Sequence, residues 1–184
     1  MSSAVDPASA RALVVMGVSG SGKTTVGARL ARELGWEFLD ADDFHPEANV
    51  AKMAAGQPLT DADRAPWLAA LAAALRSRLR AGRGVVLACS ALRRAYRDSL
   101  RTAGPGVAFL YLRTLPELAR RRVAGRRGHY FPPGLVESQF GALEEPDPDA
   151  EPDVIVAPAD APLGTFTRDW AVRRLSELER AADT

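Results

Sequence analysis

The chain has almost no charge imbalance, a single cysteine and no long hydrophobic run. Its 24 Lys+Arg balance 23 Asp+Glu, for a net charge of +1, which argues against a dedicated nucleic-acid or membrane-surface binder. Cys89 alone cannot form a disulfide within the chain, so we expect a reducing, cytoplasmic location. No apolar stretch approaches the roughly 20 residues of a membrane helix. The 184 residues suit one domain, predicted over residues 12–184, after a flexible polar tail over residues 1–11.

Lysine is also rare, since only Lys23 and Lys52 occur among the 24 basic residues. Lys23 nevertheless lies inside a glycine-rich loop. A compact ammonium group enters a narrow nest of backbone N–H groups, whereas a planar guanidinium is too broad. This contrast predicts a specific role for Lys23 in the loop.

The segment Gly17–Thr24, GVSGSGKT, matches the phosphate-binding pattern G-x-x-x-x-G-K-S/T in full. It follows an apolar strand and precedes an amphipathic helix, whose positive N-terminal end favours phosphate. Lys23 is expected to reach the β- and γ-phosphates, and the Thr24 hydroxyl to bind Mg²⁺. We predict that a nucleoside triphosphate contacts Gly17, Ser19, Gly20, Ser21, Gly22, Lys23, Thr24 and Thr25.

Short apolar runs alternate with amphipathic segments along the chain, a pattern typical of a parallel sheet with crossover helices. Nearly continuous apolar strands indicate a sheet that is covered on both faces. The expected fold is therefore α/β with three layers. The predicted strands are Ala12–Met16, Glu37–Leu39, Gly84–Cys89, Val107–Leu112 and Asp153–Ala157.

Helix signals fill the intervals between these strands. One helix is predicted over Lys23–Leu34, and Asp63 is predicted to cap a longer one that carries Trp67. Thr114–Glu117 has the pattern of a capping box. The last helix is predicted to present an apolar face made of Leu163, Phe166, Trp170, Leu175 and Leu178.

Three aspartates, Asp40, Asp42 and Asp43, lie at the carboxyl end of the second predicted strand, the edge at which open α/β sheets bind ligands. One plausible division places Asp40 in the magnesium shell through water. Asp42, on the same side of an extended chain, would then take the proton of an attacking hydroxyl. The alternative is a capped turn with solvated acids.

The loop alone does not define the class of nucleotide-binding protein. A GTPase would carry the guanine-binding N-K-x-D, and an ABC-type ATPase its own signature; both are absent from the sequence. A short chain with an acidic strand end fits a small kinase that phosphorylates a metabolite or a nucleotide.

Three segments resemble the gluconate kinase family, small P-loop enzymes related to shikimate kinase and nucleoside monophosphate kinases. They are LDADDFHPEANVAKMAAGQPLTDADRAPWL, VVLACSALRRAYRDSLR and RRVAGRRGHYFPPGLVESQFGALEEP, and the likeness runs from Val14 to about Pro158. It implies a five-stranded parallel sheet with helices on both faces and a small lid. It also implies transfer of the ATP γ-phosphate to the 6-hydroxyl of D-gluconate, giving 6-phosphogluconate, and a possible homodimer.

The resemblance also suggests residues that bind the sugar acid. By similarity to shikimate kinase, Arg64 would clamp the substrate carboxylate; alternatively it is a surface arginine paired with Asp61 or Asp63. His45 contacts the sugar acid or stabilises its own turn.

The stretch CSALRRAYRD follows the third predicted strand and so falls at the same sheet edge. Ser90 lies there as a candidate substrate contact, and Arg93 or Arg97 would face the substrate or a phosphate. Cys89 is expected to be a buried strand-end residue, since no histidine partner argues for a nucleophile.

A basic segment rich in glycine and proline has the composition of a lid, predicted at about residues 124–134. Arg122 and Arg126 match arginines that flank the lid in related kinases, one over the adenine and the other on the transferring phosphoryl group. His129 is a further candidate contact. The alternative, a nucleic-acid patch, is disfavoured by the net charge. Two competing functions are phosphorylation of another acceptor, such as shikimate or a nucleoside monophosphate, and the action of a nucleotide-dependent switch.

Overall fold

The computed structural model describes residues 11–125 and 133–182, and these residues form a five-stranded parallel sheet. The strand order is β2-β3-β1-β4-β5, with every neighbouring pair parallel. Each strand lies within one residue of its predicted position at both ends. The strands are β1 (Ala12–Met16), β2 (Glu37–Asp40), β3 (Val85–Ala88), β4 (Val107–Arg113) and β5 (Val154–Pro158).

Side chains of the central strands alternate between two hydrophobic clusters, as the two-residue period of a strand requires. Val14 and Met16 of β1 belong to one cluster and Leu13 and Val15 to the other. All four are at most 1% exposed. The sheet is therefore buried on both faces, which confirms the predicted three layers.

Seven α-helices are present in the described part of the chain. The first of them follows the glycine-rich loop and has the predicted bounds, Lys23–Leu34. None of the seven is long and apolar enough to cross a membrane. They are α1 (Lys23–Leu34), α2 (Glu47–Ala54), α3 (Asp61–Arg80), α4 (Arg94–Arg101), α5 (Pro116–Ala124), α6 (Pro133–Ala142) and α7 (Arg168–Ala182).

The predicted cap of α3 is wrong by three residues. Thr60 is the N-cap, and its hydroxyl accepts a hydrogen bond from Asp63 N at 3.2 Å. The Asp63 carboxylate accepts from Thr60 N at 2.8 Å, which completes a capping box. Asp63 also receives two hydrogen bonds from Lys52 Nζ, at 2.7 and 2.9 Å. The second lysine of the chain thus stabilises the start of α3.

The predicted capping box at α5 is also wrong. The N-cap is Leu115, which has no side-chain cap, and α5 begins at Pro116. Proline favours this first helical position because its missing N–H would be unpaired there anyway. The buried Thr114 hydroxyl instead donates back to Leu112 O at 3.0 Å.

The apolar face of α7 is shorter than predicted. Leu163 lies in a separate 3₁₀ turn, Leu163–Thr165, and is 41% exposed. Phe166 precedes the helix but is buried, with its ring edge-to-face to Trp170 at 5.1 Å. Two prolines upstream and the short 3₁₀ turn delay the start of the helix to Arg168.

A buried ion pair joins α4 to the segment before β5. Arg97, 1% exposed, donates to both Glu151 carboxylate oxygens, at 2.8 and 2.6 Å. Arg101 adds a hydrogen bond to Glu151 at 2.7 Å. Burial alone would raise the pKa of Glu151, but the hydrogen bonds from the two arginines outweigh it and lower that pKa to about 2.

Because of Glu151, the free energy of unfolding should depend on pH in the acid range. Its folded pKa of about 2 lies below the ordinary 4.5, so the unfolded chain is protonated first as the pH falls. The stabilisation is complete above about pH 4.5 and is lost towards pH 2. It amounts to about 3 kcal/mol at neutral pH. Urea unfolding between pH 7 and pH 3 should show this slope.

Glu151→Gln should flatten that slope and lower stability at pH 7. Glu177→Gln is the matched control, because Glu177 forms a half-exposed pair with Arg174 within α7 and such pairs contribute little. An unchanged pH slope in Glu151→Gln would contradict the assignment.

Candidate active site

The parallel sheet brings the ends of three strands together at one edge. The glycine-rich loop leaves β1, Asp40 ends β2, and Ser90 follows β3, whose position lies between the other two strands. Gly17 N donates to Ser90 O at 3.3 Å, so the main chain of Ser90 adjoins the loop. This is the edge at which the sequence predicted the site.

Cys89 shows how closely the charged groups converge. Burial raises the pKa of the Cys89 thiol to about 12, and the charges of Lys23, Asp42 and Asp40 act on it as well. Charges from the loop and from the end of β2 therefore act on the thiol at the end of β3. The prediction that Cys89 is a buried strand-end residue is confirmed.

The P-loop (Gly17–Thr24) has the backbone of a phosphate cradle. Gly17, Gly20 and Gly22 have φ values of 145°, 82° and 93°, a region that side chains disfavour. Lys23 Nζ donates to Val18 O at 3.0 Å, so the ammonium lies over the loop. The start of α1 has no side-chain cap and no acidic residue in its first turn. Its first N–H groups are thus suited to an anion.

Helices α5 and α6 hold the P-loop from outside. A Cβ at Gly20 would lie 2.6 Å from Ala119 O. Arg122 Nη1 is 3.4 Å from Gly20 O and also from Ser21 O, so this arginine, predicted to flank the lid, lies beside the P-loop. Ser19 N donates to Gln139 Oε1 at 2.6 Å. No sequence pattern pointed to Gln139, because this contact joins segments 120 residues apart.

Thr24 and Asp40 form a pair that fits Mg²⁺. The Thr24 hydroxyl lies 3.2 Å from Asp40 Oδ2. Among the described residues no group of three or more His, Cys, Asp or Glu could hold a metal. Mg²⁺ commonly binds through one or two protein ligands, with waters and substrate phosphates completing its shell. A hydroxyl and one carboxylate beside a phosphate cradle match that pattern.

The aspartate turn (Ala41–Phe44) differs from the extended chain that was predicted. It is a 3₁₀ helix capped by Asp40, whose carboxylate accepts from Asp42 N at 3.1 Å. The alternation of an extended strand therefore does not place the Asp42 side chain. Both Asp42 and Asp43 are exposed at the sheet edge. The structure thus contains the capped turn with solvated acids of the alternative interpretation, and the role of Asp42 as a base stays a prediction.

Arg64 pairs with neither of its two alternative partners. Its Nη1 donates to Leu59 O at 2.5 Å, and its guanidinium carbon lies 5.6 Å from the centre of the Tyr96 ring. Asp61 instead contacts Arg93 Nη1 at 2.9 Å and the Tyr96 hydroxyl at 2.5 Å. Asp63 is held by Lys52, as described above. Within the described ranges, the Arg64 charge forms no ion pair.

His45 directly follows the aspartate turn as its C-cap residue. Burial lowers the pKa of His45, while the charge of Asp42 raises it and that of Arg64 lowers it further. The imidazole stacks on Trp67, with ring centres 4.4 Å apart and planes 9° apart. The predicted alternatives for His45, sugar-acid contact and turn support, are thus compatible. Trp67 was assigned only to the helix face.

Arg97 is a structural residue, and its predicted contact with substrate is corrected here. Besides Glu151, its Nη1 donates to Ala91 O at 3.1 Å and to Leu92 O at 3.3 Å. At 1% exposure, its guanidinium is enclosed by protein acceptors. The predictions for Arg126, for His129 and for the lid tip fall outside the described residues.

The fold and the P-loop define a P-loop kinase, and a family model described as an AAA domain matches residues 13–145. Shikimate kinase from Acinetobacter baumannii shares this fold, with 20% identity and a TM-score of 0.55 over 94% of each chain. A gluconokinase of Gluconobacter oxydans (strain 621H) is 51% identical over 80% of this chain and 82% of its own. A gluconokinase structure from Sinorhizobium meliloti 1021 is 41% identical over 95% of both chains, with a TM-score of 0.78. The chain belongs to the gluconokinase family.

Gly20→Ala should weaken ATP binding about tenfold or more. The added Cβ meets Ala119 O and requires a positive φ, a strain of about 1–3 kcal/mol that the loop can relieve only by moving. Gly141→Ala in α6 is the control, since nothing lies within 4 Å of its Cβ position. Calorimetric titration with ATP checks the difference. Equal affinities in the two variants would contradict the close packing of α5 on the loop.

Proposed function

We propose that this protein transfers the γ-phosphoryl group of ATP to the 6-hydroxyl of D-gluconate. The observation that carries the proposal is that Asp40, 3.2 Å from the Thr24 hydroxyl of the P-loop, also accepts a hydrogen bond from Asp42 N at 3.1 Å. A phosphate cradle there adjoins a carboxylate that can accept a hydroxyl proton. The gluconokinases of similar sequence support gluconate as the acceptor.

The nucleotide side of the site is built for phosphate. The P-loop main chain and the start of α1 bind the phosphates, and Lys23 adds a positive charge beside them. Thr24 and Asp40 would hold Mg²⁺, with Asp40 acting through water. When bound, Mg²⁺ neutralises the charge of the phosphates. Arg122, whose Nη1 lies 3.4 Å from Gly20 O and Ser21 O, would bind the nucleotide as well.

The acceptor side supplies the base. Asp42 is exposed at the sheet edge and would take the proton from the 6-hydroxyl while the hydroxyl oxygen bonds to the γ-phosphorus. The bond between that phosphorus and the bridging oxygen of ADP breaks in the same step. Proton and phosphoryl group are thus both accounted for, with 6-phosphogluconate and ADP as products.

The carboxylate of gluconate requires a fixed cation, and Arg64 is our candidate. Arg64 is half-buried, its charge acts on His45, and none of the described carboxylates is paired with it. Arginine can bind both oxygens of a carboxylate, which a lysine would do poorly. Arg93, whose guanidinium carbon also lies within 6 Å of the Tyr96 ring centre, at 5.9 Å, would contact the polyol together with His45. Ser90 stays a candidate, since only its main chain is placed by a contact.

Two further parts of the proposal rest on the sequence and on family resemblance. A cytoplasmic location is supported by the single cysteine. A homodimer is proposed from the resemblance to gluconate kinases. Gel filtration coupled to light scattering checks the dimer, for which a mass near 39 kDa is about twice the 19.7 kDa of the chain.

A coupled assay tests the acceptor directly. The purified protein with ATP and Mg²⁺ should consume gluconate with one ADP released for each gluconate. A panel containing shikimate, nucleoside monophosphates and other sugar acids serves as the comparison. Turnover of one of these without turnover of gluconate would overturn the assignment, and ATP hydrolysis without any acceptor would favour a nucleotide switch.

Asp42→Asn should lower kcat by about 10²–10⁴-fold, the usual contribution of a general base, while ATP affinity stays within about twofold. Lys23→Ala should reduce ATP affinity and kcat together, because its charge acts on the phosphates. Asp169→Asn in α7 is a matched control with the same chemical change far from the sheet edge. Full kcat in Asp42→Asn would exclude Asp42 as the base.

A further inference from the structure

The aspartate turn needs support from outside itself. It contains four residues, and 3₁₀ turns have poorer hydrogen-bond geometry than α-helices. The backbone hydrogen bond that closes the turn, from His45 N to Asp42 O, is long, at 3.4 Å. Asp42 and Asp43 are exposed and pack against little. The position of the Asp42 carboxylate must therefore be fixed mainly by contacts at the ends of the turn.

Trp67 contacts both ends of the turn. Its indole Nε1–H donates to Ala41 O at 2.7 Å, a buried hydrogen bond just before Asp42. Its ring stacks on His45, just after the turn, at 4.4 Å and 9°. Trp67 itself is 4% exposed and lies in the core cluster between α3 and the sheet. One rigid side chain thus joins the turn to the core at two points.

Asn49 supports the same arrangement from α2. Its Nδ2 donates to Asp63 O at 2.9 Å and lies 3.5 Å from His45 Nδ1. Asn49 is buried, at 4% exposure. His45 consequently contacts both the indole and this amide, so the residue that closes the turn is held by two buried side chains.

We propose that Trp67 is a positioning residue for phosphoryl transfer, which holds the Asp42 carboxylate through its bond to Ala41 and its stack on His45. This inference rests on the proposed function, because an acceptor base requires an accurate position. A displacement of about 1 Å can cost about 10²-fold in rate. A tryptophan that only filled the core would affect stability without acting through Asp42.

Trp67→Phe separates the two roles. Phenylalanine keeps an aromatic ring for the stack but removes the N–H that binds Ala41. We expect kcat with gluconate to fall about 10–100-fold while ATP affinity changes less than about twofold. Trp170→Phe is the control, since Trp170 packs on Phe166 in the opposite cluster. Should Trp67→Phe be too unstable to purify, Trp67→Tyr also removes the indole N–H.

A double-mutant cycle with Asp42→Asn gives the decisive readout. If Trp67 acts through Asp42, Trp67→Phe should have little further effect in the Asp42→Asn background. An equal fold-loss in both backgrounds, or unchanged kcat in Trp67→Phe, would overturn the positioning role. Absence of gluconate turnover by the unaltered enzyme would instead overturn the proposed function, and the role of Trp67 with it.

Discussion

The parallel pairing of β1, β3 and β2 is the constraint on which the site depends. Ala88 of β3 pairs with Val15 on one side and with Asp40 on the other. Neighbouring strands lie about 4.8 Å apart, so Asp40 stands roughly 10 Å from the strand that leads into the P-loop. Thr24, in the first turn of α1, spans that gap to reach the Asp40 carboxylate. A register slip of one residue would turn Asp40 to the opposite face.

Local patterns in the sequence were enough to predict the strands, α1 and the P-loop. Each is defined by neighbouring residues: a continuous apolar run, or glycines at fixed spacing before a lysine. The cap of α5 was wrong because Thr114 bonds back to Leu112 O and the helix begins at Pro116 without a side-chain cap. The cap of α3 was wrong because more than one residue offered a suitable side chain. Thr60 and Asp63 both fit an N-cap, and only the structure shows that they act as a reciprocal pair.

Roles that depend on distant contacts could not be predicted in this way. Arg97 lies near the sheet edge in sequence, but its partner Glu151 is 54 residues away. The ion pair stabilises the backbone after β3, where Ala91 adopts a φ of 44° that is uncommon for a residue with a side chain. Arg97 holds the carbonyl of that residue, and an arginine has enough donors to bind Ala91, Leu92 and Glu151 together. The strained turn after β3 is thereby fixed without any substrate.

The two halves of the site are supported by different means. The P-loop is held by glycine backbone geometry, and Val18 packs in a small cluster with Ala119 and Val123 of α5 and Val136 of α6. This support is extensive, and much of it is main chain, so it constrains the nucleotide side regardless of acceptor. The acceptor side relies on a few side chains, chiefly the indole of Trp67 against Ala41 and His45. The Trp67 contacts involve no residue of the P-loop, so the two sides of the site are supported by different residues.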